Sequence, residues 1–196
     1  MAEFTPNIKT ILFMGQTGSG KGVQSKLLSE KTGFEVFSTG GRYRELRVGE
    51  SDLAKRIREQ YDGGLLMPPW FSTFLFQEVT LHRPLNVGII HESTAKTVFE
   101  AQQFDDVMEW LRRPYVMFCL SISQEESMRR QLARAGVESR PESDSEEKLK
   151  VRFAEYEAKT GPAIEFFRQK GKVIDIEGER PIEVVHQDVL DHLSKL

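Results

Sequence analysis

The stretch Ile11-Leu12-Phe13-Met14-Gly15-Gln16-Thr17-Gly18-Ser19-Gly20-Lys21-Gly22 constrains this chain more than any other. An apolar run ends in a glycine-rich loop, the loop ends in a lysine, and a helix-like pattern follows at once. Glycines permit a tight turn whose backbone N–H groups point inward. Together with a helix N-terminus, those groups make a nest for anionic oxygens. The Gly-x-x-x-x-Gly-Lys spacing from Gly15 to Lys21 is that of a phosphate-binding loop, with Lys21 reaching the terminal phosphates as a point charge. Gly22 stands where such loops usually carry a Ser or Thr for Mg²⁺. The alternative is a Gly/Ser surface turn with a solvated lysine. A strand-like run before the loop and a helix-like run after it favour a nucleoside triphosphate site.

The pattern along the chain agrees. Apolar runs at 9–14, 34–37, 86–91, 115–121 and 172–176 have the length and Val/Ile/Phe content of strands buried on both faces. Helix-like segments lie between them at about 21–32, 52–62, 70–82, 97–112, 124–135 and 145–170. This alternation predicts an α/β fold with a five-stranded parallel sheet, right-handed crossovers and ligands at the carboxyl ends of the strands. Two stretches leave the pattern. Residues 48–70 are punctuated by Gly63-Gly64 and Pro68-Pro69, and residues 134–150 are strongly polar, with Ser143 or Ser145 placed to cap a following helix.

With 196 residues, the chain reads as a single domain, 1–196. A net charge of −3 gives no support for a nucleic-acid binder. No apolar run approaches a membrane span and the N-terminus has no signal-peptide core, so a cytoplasmic protein without a membrane partner is expected. Cys119 lies in an apolar run and reads as an inert buried thiol.

Several further motifs fall in a telling order. Ser38-Thr39-Gly40 is followed by Arg44. Gly64-Leu65-Leu66-Met67-Pro68 closes the first excursion. Arg130, Arg134, Arg140 and Arg152 flank the second. Tyr156-x-x-x-Thr160-Gly161-Pro162-Ala163-Ile164 and Gly178-Glu179-Arg180-Pro181 come last. From residue 9 to residue 193 the chain resembles adenylate kinases and their nucleoside monophosphate kinase relatives. Their motifs GxPGxGKGTQ, STGDxLR, GxLVP and YxxxTxPxI match these segments.

The resemblance implies a P-loop NTPase fold, with a monophosphate-binding excursion over 38–70 and a short lid over 134–144. It also implies a phosphotransferase that moves a phosphoryl group from MgATP to a nucleoside monophosphate, AMP in first place. Kinases for GMP or a pyrimidine monophosphate, or a catalytically weak nucleotide-binding module, are the alternatives. By the same resemblance Gly15, Gly18, Ser19, Gly20, Lys21, Gly22 and Val23 hold ATP, with Arg130, Gly178 and Arg180 about its base. Thr39, Gly40, Arg44, Met67, Lys96 and Glu100 hold the monophosphate. Lys21, Arg134, Arg140, Arg152 and Glu92 serve the transfer, Glu92 positioning Mg²⁺ through water. Arg129 offers a second register for Arg130 and Arg134. Small-molecule nucleotides are the implied partners, and a monomer the implied state. The lid carries no cysteine, which excludes a zinc-stapled lid.

Departures from the family pattern concentrate in Glu92-Ser93-Thr94-Ala95-Lys96-Thr97, which replaces DGFPRT. Glu92 keeps the charge of an aspartate with one more methylene. Lys96 keeps the charge of an arginine without its bidentate fork. Val23 replaces a threonine. Glu100 replaces the glutamine that reads the acceptor base. An ionised carboxylate only accepts hydrogen bonds, which suits the two donors of guanine better than the donor–acceptor edge of adenine. Gln102 and Gln103 are nearby alternatives for that reading.

Overall fold

A computed structural model describes residue Phe4, residues 6–135, Val137 and residues 145–196. Five strands, β1 (Thr10–Gly15), β2 (Glu35–Ser38), β3 (Ile89–Glu92), β4 (Tyr115–Ser121) and β5 (Val173–Glu177), form one parallel sheet in the order β2-β3-β1-β4-β5. The helices are α1 (Lys21–Thr32), α2 (Thr39–Leu46), α3 (Asp52–Tyr61), α4 (Pro69–Leu81), α5 (Val98–Trp110), α6 (Gln124–Ala135), α7 (Glu146–Glu155), α8 (Gly161–Gln169) and α9 (Ile182–Leu193). This is the α/β parallel-sheet fold that the alternation predicts and the P-loop architecture that the family resemblance implies.

Period-two alternation in β1 divides the core. Leu12 and Met14 join Phe76, Phe104, Met117 and Phe167 on one face. Ile11 and Phe13 join Leu28, Phe118, Val185 and Val189 on the other. Both faces of the sheet are covered by helices, which is why its central strands read as unbroken apolar runs. Among the described residues no helix is long and apolar enough to cross a membrane.

Local chemistry sets the boundaries. Gly33 ends α1 in the left-handed region at φ 71°. The hydroxyls of Ser38, Ser51, Thr97 and Ser145 accept backbone N–H groups at the starts of α2, α3, α5 and α7. Ser145 thus supplies the expected cap, while Ser143 lies outside the described residues. The single helix expected over 145–170 is interrupted by a π turn, Tyr156–Thr160, where Gly161 N–H reaches Tyr156 O. Pro162 has no N–H, and its ring would strike the carbonyl four residues back in a regular helix. The ladder therefore slips by one residue.

Helices α2 and α9 are further departures from the sequence reading. The first is built on Ser38 despite its two glycines. The second, which buries Val185, Val189 and Leu193 at helical spacing, lies beyond the segments that the sequence reading named.

Among the polar residues buried within this frame, Arg113 and His91 contrast. Arg113 donates to Pro84 O at 3.2 Å and to Thr10 Oγ1 and Val87 O, tying the start of β1 to the loop before β3. His91 lies in the middle of the sheet, fully buried, edge-on to Phe37 and Phe104, with neither ring nitrogen hydrogen-bonded among the described residues. Burial, aided by the charges of Arg113 and Arg83, lowers its pKa to about 3. The unfolded imidazole takes up a proton below about pH 6.5 and the folded one does not, so His91 costs stability as pH falls through that range. His91→Leu is expected to raise stability by about 1–2 kcal/mol at neutral pH and more at pH 5. Urea unfolding at both pH values checks this, and an unchanged midpoint would count against it.

Candidate active site

The loop after β1 is shaped by three left-handed glycines, Gly15 (φ 133°), Gly18 (φ 77°) and Gly20 (φ 96°). Gly15 also allows a close approach, since a Cβ there would lie 2.1 Å from Leu120 O of β4. Ser127 Oγ donates to Thr17 O at 2.6 Å, anchoring the loop from α6. Lys21, the first residue of α1, folds back across the loop. Its ammonium donates to Gly15 O (2.9 Å), Gln16 O (2.6 Å) and Ser19 Oγ (3.3 Å).

A cavity of about 1310 Å³ opens over this loop at the carboxyl end of the sheet. Gly15, Gly18, Ser19, Gly20, Lys21, Gly22 and Val23 form its floor. Arg130, Gly178 and Arg180 line one end. Arg130 bridges that end, donating to Gly178 O (3.0 Å) and Gly18 O (3.3 Å) while Glu126 holds its Nε. Arg180 is held by Asp188 and Glu177. Gly40 and Arg44 line the other end, where Arg44 donates to Tyr61 Oη at 3.2 Å. Glu92, Lys96 and Arg152 also line the cavity, near Lys21 and one another, as does Arg134. Arg134 donates to Gln131 Oε1 at 2.6 Å, and the buried Nε of Arg152 has no hydrogen-bond partner among the described residues.

Three expected site residues do not line the cavity. Met67 is buried in the core. Thr39 Oγ1 pairs with Thr94 Oγ1 at 3.0 Å behind it. Glu100, 2 % exposed, accepts the backbone N–H of Lys96 at 2.7 Å. Burial raises its pKa, an effect opposed by that hydrogen bond and by the Lys96 charge. Ser93 (φ 59°) and Ala95 (φ 63°) are both left-handed, and their turn brings the Lys96 amide over the carboxylate. Arg140 and most of the 134–144 segment lie outside the described residues. Sequence reasoning did not single out Tyr61, Gln131 or Glu155, and it quoted Leu66 and Tyr156 only as members of motifs without a site role; all five line the cavity. Tyr61, Gln131 and Glu155 belong to no motif, and only their placement across the fold reveals them.

Positive charge is concentrated here. Lys21 is pushed down to about 7, first by burial and then by Lys96 and Arg152, with Glu92 partly offsetting. Lys96 is pushed down to about 8 by burial, then by Arg152 and by Arg44, against the carboxylates of Glu100 and Glu92. A polyanion would restore both charges. Glu92 lies at the end of β3 beside the start of α1, where a Cβ on Gly22 would be 3.5 Å from its Oε1. One carboxylate beside a phosphate nest fits Mg²⁺, which keeps several waters and takes few protein ligands. Among the described residues no cluster of three or more His, Cys, Asp or Glu could form a metal cage.

A parallel sheet with a phosphate nest, and cations converging beyond it, defines a P-loop phosphotransferase. Residues 13–172 match the family model described as adenylate kinase. The chain is 30% identical over 183 residues to an adenylate kinase of Azobacteroides pseudotrichonymphae, covering 93% of this chain and 95% of that one. It is 32% identical over 169 residues to an adenylate kinase of Maricaulis maris, covering 86% and 89%. It is 30% identical over 188 residues to one from Phocaeicola vulgatus, covering 95% and 98%. The chain belongs to the adenylate kinase family and is a nucleoside monophosphate kinase.

The two depressed lysines make binding pH-dependent. Between about pH 7 and 10.5 the folded, unliganded Lys21 holds fewer protons than an ordinary lysine, and phosphate oxygens return them. Nucleotide binding at pH 8 is therefore expected to take up protons, and affinity is expected to fall as pH rises from there. Calorimetric titration with ATP in buffers of different ionisation enthalpy measures this. Proton release would contradict it.

Proposed function

We propose that the protein catalyses ATP + AMP ⇌ 2 ADP. The observation that carries this reading is one continuous cavity joining the loop to the Gly40–Arg44 end, with Lys21, Lys96 and Arg152 in its lining. Its volume exceeds what one nucleotide-sized ligand needs, and it has room for two. The similarity to adenylate kinases supports AMP as the acceptor.

In this reading the loop amides and Lys21 hold the donor phosphates, while Arg130 and the Gly178 turn flank its base, with Arg180 at the rim. Gly40 and Arg44, on the 38–70 excursion, hold the monophosphate, with Thr39, Met67 and Glu100 shaping that end from behind. Lys96, Arg134, Arg152 and, from the 134–144 lid, Arg140 surround the group in transit. Phosphoryl transfer asks mainly for positioning and charge stabilisation, and fixed cations in a water-poor site supply both. Mg²⁺ would be held through water by Glu92 and would neutralise charge on the donor phosphates. Closure of the two excursions would keep water from the donor. A monomer acting in the cytoplasm completes the reading.

GMP is the second acceptor that the identity of Glu100 suggests, although that carboxylate is turned onto the Lys96 amide and does not line the cavity. A coupled assay of ADP formation against AMP, GMP, CMP and UMP with ATP and Mg²⁺ decides between them. AMP is expected to give the highest kcat/KM, and turnover with none of the four would overturn the reading.

Lys21→Met is expected to lower kcat by about 10²-fold or more with the fold intact by circular dichroism. Arg152→Ala is expected to lower kcat strongly with little change in the KM for AMP, because its contacts tighten in the transition state. A rise in KM alone would place Arg152 in ground-state binding instead.

A further inference from the structure

We propose that Glu155 is a positioning residue for the acceptor end of the cavity. From the last turn of α7 it docks the segment that closes the α2–α3 excursion. The inference rests on the reading of the cavity given above.

The segment from Gly63 to Pro68 has no regular structure, so its backbone polar groups need partners from elsewhere. For Leu66 both partners are side chains. Gln60 Nε2 donates to its carbonyl, and Glu155 Oε2 accepts its N–H at 3.2 Å. The second bond spans 89 positions of sequence and joins two parts that meet outside the sheet. Glu155 is itself fixed. Its side chain is only 16% exposed, and Lys159 Nζ, from the π turn, donates to the same Oε2 at 2.8 Å.

The position of Glu155 on its helix gives the bond its meaning. Arg152 lies three residues earlier, on the same face of α7, and both side chains line the cavity. The N–H it accepts belongs to Leu66, which lines the cavity and is held by Gln60, the chain neighbour of Tyr61, whose hydroxyl takes the Arg44 guanidinium. One charge-assisted bond therefore sets the distance between the element that carries Arg152 and the wall beside Arg44. Without it, the 63–68 segment can pivot between Gly64, at φ 87°, and the Pro68-Pro69 pair. The loop, Arg130 and the Gly178 turn share no hydrogen bond with Glu155 among the described residues, so the donor end should not register the change.

The test uses the whole chain and three variants, Glu155→Ala, Glu155→Gln and Lys159→Ala. Steady-state kinetics vary AMP at saturating ATP, then ATP at saturating AMP. Calorimetric titration with AMP alone gives Kd. For Glu155→Ala the KM and Kd for AMP are expected to rise about five- to tenfold, the scale of one lost hydrogen bond. The KM for ATP should stay within about twofold of native. Glu155→Gln keeps an oxygen for Leu66 N–H, and Lys159→Ala keeps the carboxylate. Both should hold the AMP constants within about twofold of native, a rescue that general damage to α7 would not allow. Unchanged AMP constants in Glu155→Ala would overturn the proposal. So would a glutamine variant as impaired as the alanine one, or an equal rise in the KM for ATP. If the native chain transferred no phosphoryl group to AMP, the proposed function would fail, while the Kd series would still judge Glu155.

Discussion

Like charges held together in a cavity are the condition around which this molecule is built. Lys21 and Lys96 lie near enough to Arg152, and deep enough, that both ammonium groups give up protons more readily than free lysine. Left to themselves such groups would swing into solvent. They stay because each is rooted in a different rigid element. Lys21 is at the first position of α1, Lys96 follows the left-handed turn after β3, and Arg152 sits on α7. The core packed on both faces of the sheet fixes those three elements relative to one another. The repulsion is thus borne by apolar packing far from the cavity, and a polyphosphate bound there would relieve it. Binding energy and folding energy are linked at this point.

Much of this arrangement was legible in the chain. The apolar run into Gly15 and the helix from Lys21 follow directly from local pattern, and β4 falls where its apolar run begins and ends. The other strands are displaced toward the C-terminus by up to three residues, because buried parallel strands and their flanking turns share the same apolar composition. Helix α2 was hidden because its intrinsic propensity is poor. It exists through the Ser38 cap and the burial of Thr39 and Tyr43. The slip at Tyr156–Thr160 needed the geometry of Pro162 against the turn before it.

The site divides in the same way. The loop glycines and Lys21 announce themselves by spacing, whereas Arg113, His91, Tyr61 and Glu155 carry no sequence signal. Each depends on a partner 17 to more than 100 positions away or on a ring packed from another element. The orientation of Glu100 is the sharpest case. Its identity suggested a base-reading carboxylate, yet where that carboxylate points is decided by Ser93 and Ala95 turning the Lys96 amide over it. Side-chain direction next to an irregular turn is a tertiary property, and spacing alone does not encode it.

The two halves of the cavity are made of different material. On the loop side the surface is main chain, and Gly15 is pressed so closely on Leu120 O that any side chain there would displace β4. On the Gly40–Arg44 side the surface is side chains: Arg44, Tyr61, Leu66 and Lys96. A single base change in the gene can therefore redraw the second half without moving the backbone, while the tightly packed Gly15 of the first half admits no comparable edit. Over long divergence, descendants of this chain should explore new acceptor chemistries while keeping one unaltered seat for the phosphates opposite.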